Sequence, residues 1–178
     1  MKTTVAIPAT AAAIIVLLTG CSSMPWGGSS HARAKADVAS TQGHTARGTV
    51  DFTQRGDDVL VAASFSGLTP GAHGFHVHEK GDCSAPDGTS AGGHFNPTGK
   101  PHGDPMQAEH HLGDLPMLQA DANGNARLNA TIRGASLRGG ATNLVGRSVV
   151  VHAQRDDFRS QPAGDSGSRV ACGVIAAR

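Results

Sequence analysis

From His44 onward the apolar positions of the chain fall in short alternating runs, with glycine, proline and asparagine at the breaks. A period of two is the mark of half-buried strands, and no long helical repeat of apolar residues follows residue 21. Ala46 to Thr53 alternates, Arg55-Gly56-Asp57-Asp58 reads as a turn, and Val59 to Phe65 as the returning strand. Leu68-Thr69-Pro70-Gly71 then punctuates before a strand over His73 to Glu79. Leu115 to Ala120 and Ala126 to Ile132 flank Asp121-Ala122-Asn123-Gly124-Asn125, whose Asn-Gly pair predicts a hairpin. Arg147 to Ala153 is a strongly apolar strand, residues 154–168 form a polar loop, and Val170 to Ala176 is the last strand. About eight short strands joined by turns predict an all-β domain, an antiparallel sandwich or barrel.

Residues 81–114 break this pattern, being rich in glycine and without periodicity. A structureless stretch of that length is out of place in a compact domain unless it has a function. Here it holds His94, His102, His111, Asp114 and Cys83, so bound ions and a covalent link would order it in place of a core.

The N-terminus reads differently. Lys2, the apolar run from Ala6 to Leu18 and the closing Leu18-Thr19-Gly20-Cys21 make residues 1–21 a signal peptide with a lipobox. The run is short for a membrane span. Acylation of Cys21 would leave Cys83 and Cys172 as an even pair for one disulfide outside the cytoplasm; the other reading is a soluble secreted protein with an odd thiol. Residues 22–42, rich in Ser, Gly and Ala, are expected to be a flexible tether, with the folded domain over 43–178. The chain has 24 glycines, 9 prolines and no tyrosine, so its core must come from Val, Leu, Ile, Ala and five Phe. Such a core is modest, and a disulfide or bound metal would reinforce it. Net charge is +1, and without Lys2 the two signs balance. No basic patch suggests nucleic acid, and membrane contact would come through the lipid on Cys21 alone.

The candidate chemistry is histidine. Alternation sets His76 and His78 on one strand face, about 7 Å apart along the strand, with Phe75 and Val77 turned into the core. Two such imidazoles clasp one ion, and His94, His102, His111 and Asp114 supply donors for a second. Imidazole suits copper in both oxidation states. Three imidazoles and a carboxylate close a tetrahedral zinc sphere and leave no open position, as in a structural site. A deprotonated imidazole has two nitrogens and so can bridge two cations. His110 adjoins His111 and is read as solvated, because the spacing to Gly113-Asp114 favours His111. His31 and His44 are read as surface residues, and Met106 and Met117 as packing or loop residues.

Gly74-Phe75-His76-Val77-His78-Glu79, Ala91-Gly92-Gly93-His94-Phe95-Asn96-Pro97, His111-Leu112-Gly113-Asp114-Leu115 and Gly167-Ser168-Arg169-Val170-Ala171-Cys172-Gly173-Val174-Ile175 together resemble the copper/zinc superoxide dismutases, in order, from about residue 45 to 176. The resemblance implies an eight-stranded antiparallel Greek-key barrel, flattened and sandwich-like, with two long functional loops. It implies one copper held by His76, His78, His94 and His152, and one zinc held by His94, His102, His111 and Asp114, with His94 bridging. By the same resemblance Cys83–Cys172 pins the long loop to the last strand, and Arg169 draws superoxide to the open copper face. Asp156 links a copper ligand to a zinc ligand, and His73 braces backbone without binding metal. Two departures stand out. Cys83 follows directly on Gly81-Asp82, and the 154–168 loop is short, with a near-balanced charge set of Arg155, Asp156, Asp157, Arg159 and Asp165. The intact zinc motif and lipobox fit the bacterial exported branch, which implies the periplasm or cell envelope.

The implied activity is dismutation. One superoxide gives an electron to copper(II) and leaves as dioxygen, while His94 leaves the copper side and takes up a proton; a second takes the electron back from copper(I) and, with protons from His94 and water, leaves as hydrogen peroxide. A non-catalytic store or carrier of copper or zinc shares the ligands but needs neither Arg169 nor an open copper face. The family includes monomers and homodimers, and the sequence does not choose between them.

Overall fold

The computed structural model describes residues 1–4 and 31–178. The expected signal peptide and lipobox, with Cys21, lie outside the described residues apart from Met1 to Thr4. The strands are β1 (Arg33–Ser40), β2 (Arg47–Arg55), β3 (Asp58–Ser66), β4 (Gly71–His73), β5 (Phe75–His78), β6 (Leu118–Ala120), β7 (Ala126–Arg133), β8 (Ser148–His152), β9 (Arg169–Val174) and β10 (Ala176–Ala177). One 3₁₀ turn, Thr89–Ala91, lies in the long loop.

The first strand corrects the sequence reading. β1 lies inside the segment expected to be a flexible tether, so the folded domain begins near residue 32 rather than 43. Ala34, Ala36 and Val38 are buried while the residues between them are more exposed, which is ordinary strand alternation. The alternation was hidden because two of the three inward residues are alanines, indistinguishable in composition from the Ser/Gly/Ala stretch before them. β1 pairs with β2 along its length and with β9 and β10 at its two ends.

Among the described residues the ten strands pair antiparallel throughout, and the main sheet runs β5-β8-β9-β1-β2-β3-β7. β4 and β5 are one strand bent at Gly74, where a Cβ would stand 2.7 Å from the Ser166 side chain. β4 pairs with β6 and β5 with β8, so the bend carries the sheet around a corner. Joining β4 with β5, and β9 with β10, leaves eight strands that curl into a flattened Greek-key barrel.

The expected hairpin is half right. The turn forms, with Asp121 N–H donating to Asn125 O and Gly124 at φ +76°. Its two strands then part: β6 pairs with β4 and β7 with β3. A turn fixes only local direction, and the barrel's curvature assigns the partners.

Phe52, Val59, Val61, Phe75, Val77, Leu118, Val149 and Ile175 fill the barrel. Phe65 and Phe75 meet edge to face at 5.7 Å. Each such side chain contributes about 1.5–3 kcal/mol on burial. With this interior apolar, the outward side of β5 and β8 is left to carry the polar site.

Candidate metal centre

β5 places Phe75 and Val77 in the barrel and His76 and His78 outside it, as alternation requires. The outward pair is nonetheless buried, because the long loop folds back over it. Backbone bonds hold the fold-back: Val77 N–H donates to Gly113 O, Phe95 N–H to Val77 O and Gly113 N–H to Phe95 O, each at 2.8 Å. A Cβ at Gly113 would stand 2.3 Å from the Val77 carbonyl, so this close approach requires glycine. The register sets His94 opposite His78 and Asp114 opposite His76. His152 closes β8, where a register shift between Val151 and His152 brings it opposite Arg169.

Two groups of four donors result, His76/His78/His94/His152 and His94/His102/His111/Asp114, and within each the donor atoms lie within 4.8 Å of one another. All seven residues are buried, and His94 belongs to both groups.

Hydrogen bonds decide which nitrogen each ring turns inward. His78 Nδ1 donates to Gly92 O at 2.9 Å and His152 Nδ1 to Gly167 O at 3.2 Å, leaving their Nε2 atoms facing each other at 3.4 Å. His76 Nε2 donates to Asp156 Oδ2 at 2.6 Å, which turns its Nδ1 inward. In the second group the Nδ1 atoms of His94, His102 and His111 converge on Asp114 Oδ1 at 2.9, 3.1 and 3.5 Å. His94 presents Nδ1 to this group and Nε2 to the other.

Three buried nitrogens, His76 Nδ1, His94 Nε2 and His111 Nδ1, have no hydrogen-bond partner. An orphaned polar atom in the interior is costly unless something satisfies it. Here the orphans aim into the two groups, His76 Nδ1 and His94 Nε2 into the first and His111 Nδ1 into the second. Four nitrogens suit copper, and three nitrogens with one carboxylate oxygen suit zinc, so the residues fit both ions.

Burial lowers the pKa of His76 and His78, of His94 to about 4 and of His152 to about 3, so the first group is neutral at pH 7 and its lone pairs are free. His102 goes the other way. Burial pulls it down, but hydrogen bonds to Asp114 and Asp156 outweigh that and raise it to about 9. Burial likewise opposes ionisation of Asp114 and Asp156, yet their histidine partners hold both well below the usual carboxylate range. The second group thus has the electrostatics of a cation site.

Asp156 spans the two groups, since its other oxygen accepts from His102 Nε2 at 2.9 Å while Oδ2 holds His76. His73 sets Nδ1 2.8 Å from the His152 carbonyl and Nε2 2.8 Å from that of Thr69, a brace on the backbone that bears His152. Cys83 and Cys172 are disulfide-bonded, tying the long loop to β9. Arg169 is half-buried at the start of β9, where Nη1 donates to Gly88 O at 2.7 Å and Nη2 to Gly92 O at 2.6 Å. Gly92 O is thus shared between the guanidinium and His78. Outside both groups, His110 turns Nδ1 to the His111 carbonyl at 2.6 Å, and Met106 is exposed.

Two further contributors carry no sequence signal that would reveal them. Gln161 bonds both backbone groups of His102 at 2.9 Å. Gly164 leaves room for Asp156, whose Oδ1 would lie 1.9 Å from a Cβ there. Each is legible only once the 154–168 loop is folded over the site.

The comparisons agree with this geometry. The family model for copper/zinc superoxide dismutase matches residues 46–175. The chain is similar to the extracellular Cu-Zn superoxide dismutase of Brugia pahangi, 42% identical over 139 residues, which cover 72% of this chain and 68% of that protein. It is also similar to Cu-Zn superoxide dismutase 2 of Aquifex aeolicus (strain VF5), 38% identical over 148 residues, covering 80% of this chain and 86% of that protein. Among solved structures, the crystal structure of the clock protein EA4 superposes with a TM-score of 0.74 at 41% identity, covering 86% of this chain and 99% of that one. With a barrel carrying two buried donor groups that share one imidazole, and a family match over most of its length, the chain belongs to the copper/zinc superoxide dismutases, oxidoreductases that convert superoxide to dioxygen and hydrogen peroxide.

Proposed function

We propose that His76, His78, His94 and His152 hold copper, that His94, His102, His111 and Asp114 hold zinc, and that His94 joins the two. The observation that carries this reading is the set of three orphaned buried nitrogens aimed into two donor groups with His94 in common. Copper supplies the one-electron couple, and zinc supplies a fixed positive charge. The remaining roles fall to the chain. Arg169, fixed by two carbonyls, presents a guanidinium to an approaching superoxide anion. His94 Nε2 is the atom at which a proton is taken up and handed back, while Nδ1 stays fixed beside Asp114. Asp156 keeps His76 and His102 in their working tautomers.

We further propose that the protein works outside the cytoplasm, at the periplasm or cell envelope, anchored by a lipid on Cys21. The disulfide and the extracellular relative support export. The central experiment measures superoxide consumption by protein loaded with copper and zinc, beside a copper-free control. One copper and one zinc per chain are expected, with activity only in the loaded sample. Zinc alone after copper supplementation would favour a storage role and sink the assignment. Blocking lipoprotein signal processing should leave a precursor, and normal maturation under that block would remove the anchor.

A further inference from the structure

We propose that Gln161 is a positioning residue for the zinc-side ion, acting through the backbone of His102. The inference rests on the reading that His94, His102, His111 and Asp114 hold zinc. Gln161 Oε1 accepts the His102 N–H at 2.9 Å, and its Nε2 donates to the His102 carbonyl at 2.9 Å. This two-point pairing is what a neighbouring strand would supply, and His102 belongs to no strand. The same Nε2 reaches the Arg159 carbonyl at 3.2 Å, which steadies the amide from within its own loop.

His102 is therefore held at three points from one short segment. Gln161 fixes its N–H and carbonyl, and Asp156 fixes its ring at Nε2, so Nδ1 is left pointing at Asp114 from 3.1 Å. The backbone clamp sets where the residue sits, and the carboxylate sets how its ring turns. Gly103, next in sequence, donates its N–H to Asp114 Oδ2 at 3.2 Å, so any drift of this segment also disturbs the carboxylate of the site. The 154–168 loop thus governs retention of an ion to which it donates no ligand. Groups that orient metal ligands without touching the metal typically change affinity by about 10–100-fold when removed. The exposed side chain of Gln161 places it toward the lower end of that range.

The test uses the mature protein carrying Gln161→Ala or Gln161→Glu. Two quantities are read: the rate of zinc transfer to a chromophoric chelator, and the visible bands of cobalt(II) substituted on the zinc side. Gln161→Ala should release zinc about tenfold faster, with altered cobalt bands and an unchanged copper-side spectrum. Gln161→Glu keeps an acceptor for the His102 N–H but sets an oxygen against its carbonyl, so it should also release faster, and it preserves a testable variant if alanine compromises folding. Release rates and cobalt bands indistinguishable from wild type would overturn the proposal. So would an equal loss of stability in metal-free and loaded protein with the cobalt bands unmoved, which would make the clamp merely structural. A wild-type protein that takes no cobalt into this group would overturn the zinc reading itself.

Discussion

Removing the disulfide by Cys83→Ala with Cys172→Ala is the perturbation whose consequences the structure specifies most fully. The bond closes a loop of sequence separation 89. The chain-entropy relation gives about 4.5 kcal/mol of lost stability for a loop of that length. Domains of this kind are stable by about 5–15 kcal/mol, so the variant should remain folded at low temperature. Its Tm should fall by about 10–18 °C. The local effect follows from what the 83–92 segment carries: Gly88 O and Gly92 O fix Arg169, and Gly92 O also fixes His78. Loosening it should weaken anion binding and copper retention ahead of zinc retention, because His102 and His111 are held from elsewhere. The assay is guanidinium unfolding of metal-free wild type and variant, followed by release rates of each metal from loaded protein. The denaturant slope should rise in the variant as its unfolded chain expands. A loss below about 1 kcal/mol would refute the loop-closure argument. Faster zinc release with copper unaffected would refute the local one.

Asp156→Asn should lower zinc-side affinity by about 10–100-fold, read by competition with a chelator, while the circular dichroism stays unchanged. Gly164→Ala places a Cβ 1.9 Å from Asp156 Oδ1 at φ +68°, so it should cost about 2–4 kcal/mol in unfolding and loosen the zinc side. Arg169→Ala should slow superoxide turnover roughly tenfold or more and flatten its dependence on ionic strength; an unchanged rate in fully metallated protein would end the guidance role. Metal-free protein should have its greatest stability near pH 6.5, because its histidines shift in opposite directions. His94, lowered to about 4, favours folding above its unfolded pKa and loses that contribution, about 3 kcal/mol, as pH falls from 6.5 to 4. His102, raised to about 9, contributes most below 6.5 and loses it as pH climbs through 9. A melting temperature that is flat from pH 4 to 9 would contradict both shifts.

The donor types and the strand-borne pair were legible in the primary structure, since His76-Val77-His78 states its own geometry once the strand is recognised. The Asn-Gly turn and most strand limits followed from the same local rules. β1 did not, because alanine at two of its three inward positions leaves little hydrophobic contrast. Nor could the parting of β6 from β7, since strand partners depend on how the whole sheet curls. What the amino-acid order determined by itself was period, turn chemistry and an inventory of candidate donors, all of them properties of neighbours along the chain. Only the tertiary structure decided which nitrogen of each ring faces inward, that Asp156 joins both groups, and that Gln161 grips His102 from 59 residues away. Those outcomes depend on directional contacts of a few ångströms between loops without periodicity, and spacing along a chain carries no information about which way such loops fold.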